Sequence, residues 1–347
     1  MLSRATKKRL VLTVFLLALG VFGVPGALLS SGAQSISLWF PLGGLTAYNT
    51  LISSVLDHSI QKGFYCNDKY TPVGSNTERC GDGVVLAYTG ERGEYQYGAS
   101  QVTGSRYWGY RKEDKGAFQV NGNYNGGGNK YYLYYDGHPG YDYPYPVDTL
   151  IFAPAEGTAR IPSADPINGD PKKFNTFKIE HGNGYETWYL HANIVRVRDG
   201  QYVQRGEPVA TVGNKGTGGY HLHFEVRQHG IIVDPYGWPG QPVLWQNITP
   251  VRIASISCVQ QAKTVNCQSV SSKSAFTLTV NGSNFDAGAI VEIYYKPEGR
   301  FVGAGAVESR SASQLVTAQQ IGVSGTYWVV VRNSTGLRSN GVLLRVN

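Results

Sequence analysis

Seven histidines occur in this 347-residue chain, and four of them fall, with one aspartate, in three short segments. Asp142 follows His138 by four residues in HPGYD (138–142), His191 ends the run ETWYLH (186–191), and His221 and His223 flank one leucine in HLHFEV (221–226). Imidazole and carboxylate are usual ligands of Zn²⁺, and three protein ligands leave a fourth position for water, which is the arrangement of a hydrolytic zinc site. A histidine beside the metal but not on it can accept the proton of that water or stabilise charge on a tetrahedral intermediate. Any one histidine taken alone is more often a satisfied core or surface residue than a ligand; the clustering is what favours a site. Spacing leaves open which three of the five side chains hold metal. The chain contains no H-E-x-x-H, so no helix-borne glutamate is available as a base and that role falls to histidine.

Strands and turns must position these groups. In HLHFEV, a two-residue period turns His221, His223 and Glu225 to one face and Leu222, Phe224 and Val226 to the other, so the imidazoles point into a cleft while the apolar residues anchor the strand. HPGYD is too rich in Pro and Gly for a helix and reads as a turn leading into a strand, and ETWYLHAN (186–193) alternates as a strand does. The run GNKGTGG (213–219) lacks G-x-x-x-x-G-K-[ST] and leads into a strand, so it reads as a tight turn rimming the cleft and not as a phosphate cradle. His181, in HGNG, ends a strand before a turn at Asn183-Gly184 and is not assigned to the metal.

From Gly137 to Pro235 the chain resembles the lysostaphin/LytM-type zinc metallopeptidases, the bacterial murein endopeptidases. HPGYD, HGNGYETWYLH (181–191), GQYVQRG (200–206), GNKGTGG and HLHFEV, closing on Val233-Asp234-Pro235, follow one another in the family's order. The resemblance implies an antiparallel β-sheet peptidase core over 136–245, with Zn²⁺ held by His138, Asp142 and His223 and with His191 and His221 as catalytic residues lining the reaction centre. It implies as substrate the peptide cross-bridges of peptidoglycan. Tyr220 stands where small residues or proline are frequent in the family, and a tyrosine there narrows the cleft. Tyr132 and Tyr134 lie just upstream of His138 and are read as packing residues before a phenol at the oxyanion. Two other classes compete. A catalytically silent LytM-like module that binds or activates another wall enzyme typically lacks ligands, whereas all five positions are filled here. A secreted β-rich binding protein with structural zinc would close its site with four ligands, often cysteines, and the four cysteines lie outside the motifs.

Arg4, Lys7, Lys8 and Arg9 precede an apolar run from Leu10 to Val24, with Ser31-Gly32-Ala33 as a small-residue cleavage site, so 1–33 reads as a secretory signal, with an uncleaved anchor as the alternative. Those 33 residues hold four basic and no acidic groups, so without them the net charge falls from +7 to +3. Residues 250–347 carry nine basic and four acidic side chains, a mild excess suited to an anionic wall or membrane surface or simply solvated; no nucleic-acid motif accompanies it. Export also suits two local disulfides, Cys66/Cys80 and Cys258/Cys267, and a periplasmic, wall-associated or extracellular location.

The fold class expected is mainly β, the peptidase core being followed over 250–347 by an immunoglobulin-like β-sandwich. FTLTVNGSNF, AIVEIYY, GTYWVVVRN and GVLLRVN are its short alternating strands, and TVNGSNF with GTY…NSTG resembles the IPT/TIG module. Residues 34–135 are rich in Gly and Tyr and resemble no known fold; VVLAYTG reads as a strand and TAYNTLISSVLDH, from Thr46, as a short helix. Lying directly before the first ligand motif, this region either walls the groove or lies over the open position, with Asn49, Asp57 and His58 as candidate occluders.

Overall fold

The computed structural model describes residues 35–54, 56, 138–237 and 242–347, together with the backbone of six short strands between 65 and 111. The secretory signal, the Cys66/Cys80 pair, Asp57, His58, Tyr132 and Tyr134 lie outside the described residues. Among the six strands, Val84–Tyr88 pairs antiparallel with Tyr107–Arg111, as the run VVLAY suggests. Residues 35–347 make one compact unit.

The central element is the strand β8 (Leu222–Gln228), in an antiparallel sheet with β5 (Tyr185–Leu190) along one edge. Its other edge is shared by β1 (Tyr141–Tyr143) at the start and β9 (Ile231–Val233) at the end. Beyond β5 the sheet continues through β4 (Phe177–Glu180) and β3 (Gly157–Arg160) to β6 (Tyr202–Val203). A second ladder pairs β2 (Leu150–Phe152) with β7 (Pro208–Thr211). Among the described residues the one α-helix, α1 (Pro171–Phe174), is a single turn capped by the Asp170 carboxylate at the Lys172 amide. The hairpin joining β4 to β5 turns at Asn183 and Gly184, both left-handed, which is the backbone that Asn-Gly adopts at low cost. Alternation along β8 sends Leu222, Phe224 and Val226 into a core shared with Tyr141, Tyr143 and Tyr189, each at most 1% exposed.

The segment 35–56 wraps this sheet. Leu38 bridges Trp245 and Leu42 bridges Ile151, while the Ser53 amide donates to the Asp142 carbonyl at 2.8 Å and the Asp142 amide to the Ser54 carbonyl at 2.9 Å. The helix expected from Thr46 does not form over 46–54: the chain there makes turns and then this extended pairing. Asn49 turns its carboxamide oxygen to the Thr46 amide at 2.7 Å, which closes a single turn, and the open edge of β1 then offers Ser53 and Ser54 a ladder in place of a helix.

Residues 250–347 form two antiparallel sheets. One runs β11 (Lys263–Val265), β10 (Arg252–Gln260), β12 (Phe276–Ser283), β16 (Gln314–Gln319), β15 (Val307–Arg310). The other runs β14 (Arg300–Ala304), β13 (Ile290–Tyr295), β17 (Gly325–Arg332), β18 (Val342–Val346). Leu278, Val280 and Leu315 of the first meet Val291, Val329 and Leu344 of the second in one core. A disulfide joins Cys258 to Cys267 across the β10–β11 hairpin. A smaller cluster, Leu150 and Phe152 with Tyr294 and Val330, joins this sheet pair to β2.

Candidate metal centre

β1 and β8 run in a register that sets Asp142 directly opposite His223, so their side chains leave the sheet on the same face. His138 joins them from the irregular HPG segment that opens β1. The His223 Nδ1 lies 2.8 Å from Asp142 Oδ1 and 3.1 Å from His138 Nε2, and His138 Nε2 lies 3.3 Å from Asp142 Oδ1. Around a tetrahedral Zn²⁺ with ligands at about 2.1 Å, donor atoms stand about 3.4 Å apart. The three donors observed make a triangle of that kind, slightly contracted, and two ring nitrogens facing each other beside a carboxylate are a donor set that a cation suits. Among the described residues this is the one His/Cys/Asp/Glu group with the closeness of a metal site. Burial opposes charge on Asp142, but the imidazoles of His138 and His221 and hydrogen bonds from His138 and His223 hold its pKa well below the ordinary carboxylate value.

His191 and His221 stand beside this group. Their ring centroids are 4.7 Å apart, and His221 Nε2 is 3.6 Å from Asp142 Oδ1. Each Nδ1 faces a backbone carbonyl from the glycine-rich turn, Lys215 O at 2.7 Å for His191 and Gly219 O at 3.0 Å for His221. A carbonyl accepts only, so both Nδ1 atoms carry a proton, and in the neutral ring the lone pair lies on Nε2. The turn 213–219 therefore does more than rim the cleft: its carbonyls set two tautomers. His191 holds a left-handed backbone (φ 64°), costly for a residue with a Cβ, and burial, reinforced by His221 and His223, lowers its pKa to about 3. Tyr220 stands half-exposed next to His221.

The polar face of β8 continues inward. His223 Nε2 meets Glu225 Oε1 at 3.0 Å, and Asn168 Nδ2 donates to the same oxygen at 2.6 Å. Arg227 donates through Nε to Glu225 Oε2 at 2.7 Å and through Nη2 to Asp165 Oδ1 at 3.0 Å, with its guanidinium over the Trp188 ring at 3.8 Å. All four partners are buried. Burial works against the Glu225 charge, but Arg227 and the bonds from His223 and Asn168 outweigh it and hold the pKa at about 2. Burial likewise opposes a proton on His223, and Asp142 and Glu225 together raise its pKa to about 9. The acceptor at Nε2 turns Nδ1 of His223 toward the site, the outer support that ligand histidines usually have. Sequence reading placed Glu225 on this face and passed over Arg227, which the same two-residue period reaches; Asp165 and Asn168 come from a distant loop with no periodic signal.

Residues 136–235 match peptidase family M23. Peptidoglycan DD-endopeptidase ShyC of Vibrio cholerae is 37% identical over 99 residues, 28% of this chain and 22% of that protein. The murein hydrolase activator NlpD of Escherichia coli is 39% identical over 61 residues, 18% of this chain and 16% of that protein. The chain spans about a fifth of the length of the curated endopeptidases it matches. Among solved structures, LytU is 33% identical, with 29% of this chain and 72% of that one covered and a TM-score of 0.25.

Proposed function

We propose that this chain, whose residues 136–235 form a domain of peptidase family M23, is an exported zinc endopeptidase that cuts peptide cross-bridges of peptidoglycan. The observation that carries the reading is the convergence of His138, Asp142 and His223, with two further histidines beside them whose Nδ1 atoms are engaged by backbone carbonyls. His138 Nε2, Asp142 Oδ1 and His223 Nδ1 would hold the metal. Zn²⁺, when bound there, supplies Lewis acidity that acidifies water and polarises a carbonyl. His191, kept neutral by burial, accepts a hydrogen bond at Nε2 and orients the attacking water. The more accessible His221 takes the water's proton at Nε2 and returns it to the departing amine. Glu225 keeps the Nε2 proton of His223 engaged, so that Nδ1 stays directed at the metal. Tyr220 edges the groove and shapes which cross-bridge enters.

The similarity to a murein hydrolase activator favours one second reading, a silent module that binds another wall enzyme. A structural zinc site would have no use for two histidines held ready beside it. We read residues 250–347 as an immunoglobulin-like sandwich of the IPT/TIG kind. Its two facing sheets support that, as does Tyr327, whose hydroxyl donates to the Val323 carbonyl four residues upstream at 2.6 Å in the manner of a tyrosine corner. The basic excess there suits an anionic wall surface, and the basic-then-apolar start of the chain suits export. Purified sacculi digested with wild type and with His221→Ala, with the released muropeptides identified by mass, test the function. Cross-bridge products from wild type alone support it. No products from either, with another hydrolase stimulated by both, would overturn it in favour of the activator.

A further inference from the structure

Asp148 holds a left-handed backbone (φ 65°) and lies between β1 and β2, outside the metal centre. Its side chain is mostly buried and serves two partners. Oδ1 accepts from Asn193 Nδ2 at 2.7 Å, and Oδ2 accepts from Lys296 Nζ at 3.1 Å. The Asp148 carbonyl accepts from the Trp328 indole N–H at 2.7 Å, and Lys296 also lies over the Trp328 ring, 5.4 Å from its centroid. Lys296 and Trp328 belong to the C-terminal sheet pair; Asn193 is two residues from His191. Around this point the Arg196 guanidinium donates to the Gly299 carbonyl, and Leu150, Phe152, Tyr294 and Val330 close an apolar cluster.

The loop His191–Asn193 is held from three sides. The His191 amide donates to the Phe174 carbonyl at 2.7 Å and Asn175 Nδ2 to the Ala192 carbonyl at 2.8 Å. On the second side the Asn193 amide donates to the Thr211 carbonyl at 2.9 Å, where Gly213 leaves no room for a side chain against His191 and Asn193. The third hold is Asp148, whose side chain bonds both Asn193 and Lys296 and so ties the loop to the C-terminal sheets by a polar bridge. A positive-φ histidine persists only where its surroundings over-determine it.

We infer that Asp148 is a positioning residue through which the C-terminal sheet pair, by Lys296 and Trp328, fixes the His191 loop. Residues 250–347 are then part of the catalytic unit and not a tethered targeting module. This rests on the reading of His191 as a catalytic group, and the test separates the two. The full chain carrying Lys296→Met with Trp328→Phe is compared with wild type on a soluble cross-bridge peptide, for zinc content, and by amide hydrogen exchange. The expected result is a roughly tenfold to hundredfold loss of kcat, the scale of a displaced catalytic group. KM should hold, with about one zinc per chain retained, and the amides of His191 and Asn193 should exchange at least tenfold faster while those within β5 keep their protection. Lys296→Arg, which retains a cation for Asp148, should restore most of the rate. Exchange is read without turnover, so a chain inactive in both forms would defeat the catalytic reading and leave this one testable. Unchanged protection at 191 and 193, or loss of protection spread evenly over all strands, overturns the inference.

Discussion

Glu225→Gln is the perturbation that the buried network answers most directly. The carboxylate takes four contacts: Asn168 and His223 at Oε1, and Arg227 Nε and Nη2 at Oε2, the last at 2.6 Å. A carboxamide of the same shape can accept on one side only. If its oxygen faces Arg227, its NH₂ meets the N–H groups of His223 and Asn168; if it faces them, its NH₂ meets the guanidinium. Arg227 keeps Asp165 at 3.0 Å, so the loss belongs at the low end of the 3–5 kcal/mol for breaking a buried ion pair, about 3 kcal/mol. With a urea dependence of about 3 kcal/mol per molar, the unfolding midpoint falls by roughly 1 M. Zinc affinity falls separately, because His223 no longer has a reliable acceptor for Nε2–H. Losing such a partner costs about 10- to 100-fold, or about 1.4–2.8 kcal/mol. Urea unfolding in excess EDTA measures the first effect, and competition for zinc against a chromogenic chelator measures the second. A variant that unfolds at the wild-type midpoint and binds zinc within about twofold of wild type would refute the claim that this carboxylate supports His223.

Three further expectations follow from the geometry. Asp142→Ala and His223→Ala should lose both zinc and activity, while His191→Ala and His221→Ala keep about one zinc and lose about 10²-fold or more in rate; metal analysis showing His221→Ala empty and His138→Ala loaded would reverse the assignment. Gly213→Ala would drive a methyl group into the backbone of Asn193 and the carbonyl of His191, so zinc should stay while the rate drops at least about tenfold, with overpacking costing about 1–3 kcal/mol of stability. Glu292 is buried, which by itself opposes its charge, yet Arg338, Tyr294 and Arg332 lower its pKa below the ordinary 4.5. The native state then binds fewer protons than the unfolded chain, so this stabilisation is complete above 4.5 and is lost as pH falls below it. The difference in urea midpoint between wild type and Glu292→Gln should shrink on acidification; a difference constant from pH 7 to 3 would contradict that.

Much of this architecture was legible in the residue pattern because the period of a strand is short and local. HLHFEV separates its two faces within six residues, and FTLTVNGSNF and GTYWVVVRN do the same, so strands and ligands could be placed together. HPGYD was legible for another reason, since Pro139 and Gly140 exclude a helix. The Thr46 segment misled because an apolar spacing compatible with a helix is overruled by an open strand edge at Asp142, which only the folded chain reveals. Asp165 and Asn168 reach β8 across 62 and 57 residues of chain, and Lys296 reaches Asp148 across 148, separations at which no periodicity survives. The tautomers of His191 and His221 were equally out of reach, because they depend on main-chain carbonyls that any residue type supplies.

The pairing of Ser53 and Ser54 with Asp142 bears on how the family-matched stretch can be inherited. In this chain the strand that carries Asp142 is an interior one, with β8 on one side and the 53–54 backbone on the other. A gene rearrangement that carried only the family-matched stretch 136–235 into another protein would turn β1 into an exposed edge, with the Asp142 amide and carbonyl left to solvent or to a stray strand. Selection would then have to supply a replacement neighbour in the new host before the site worked as well. The folding unit around Asp142 is accordingly larger than the family-matched stretch, because the segment 38–54 supplies the outer neighbour of its strand.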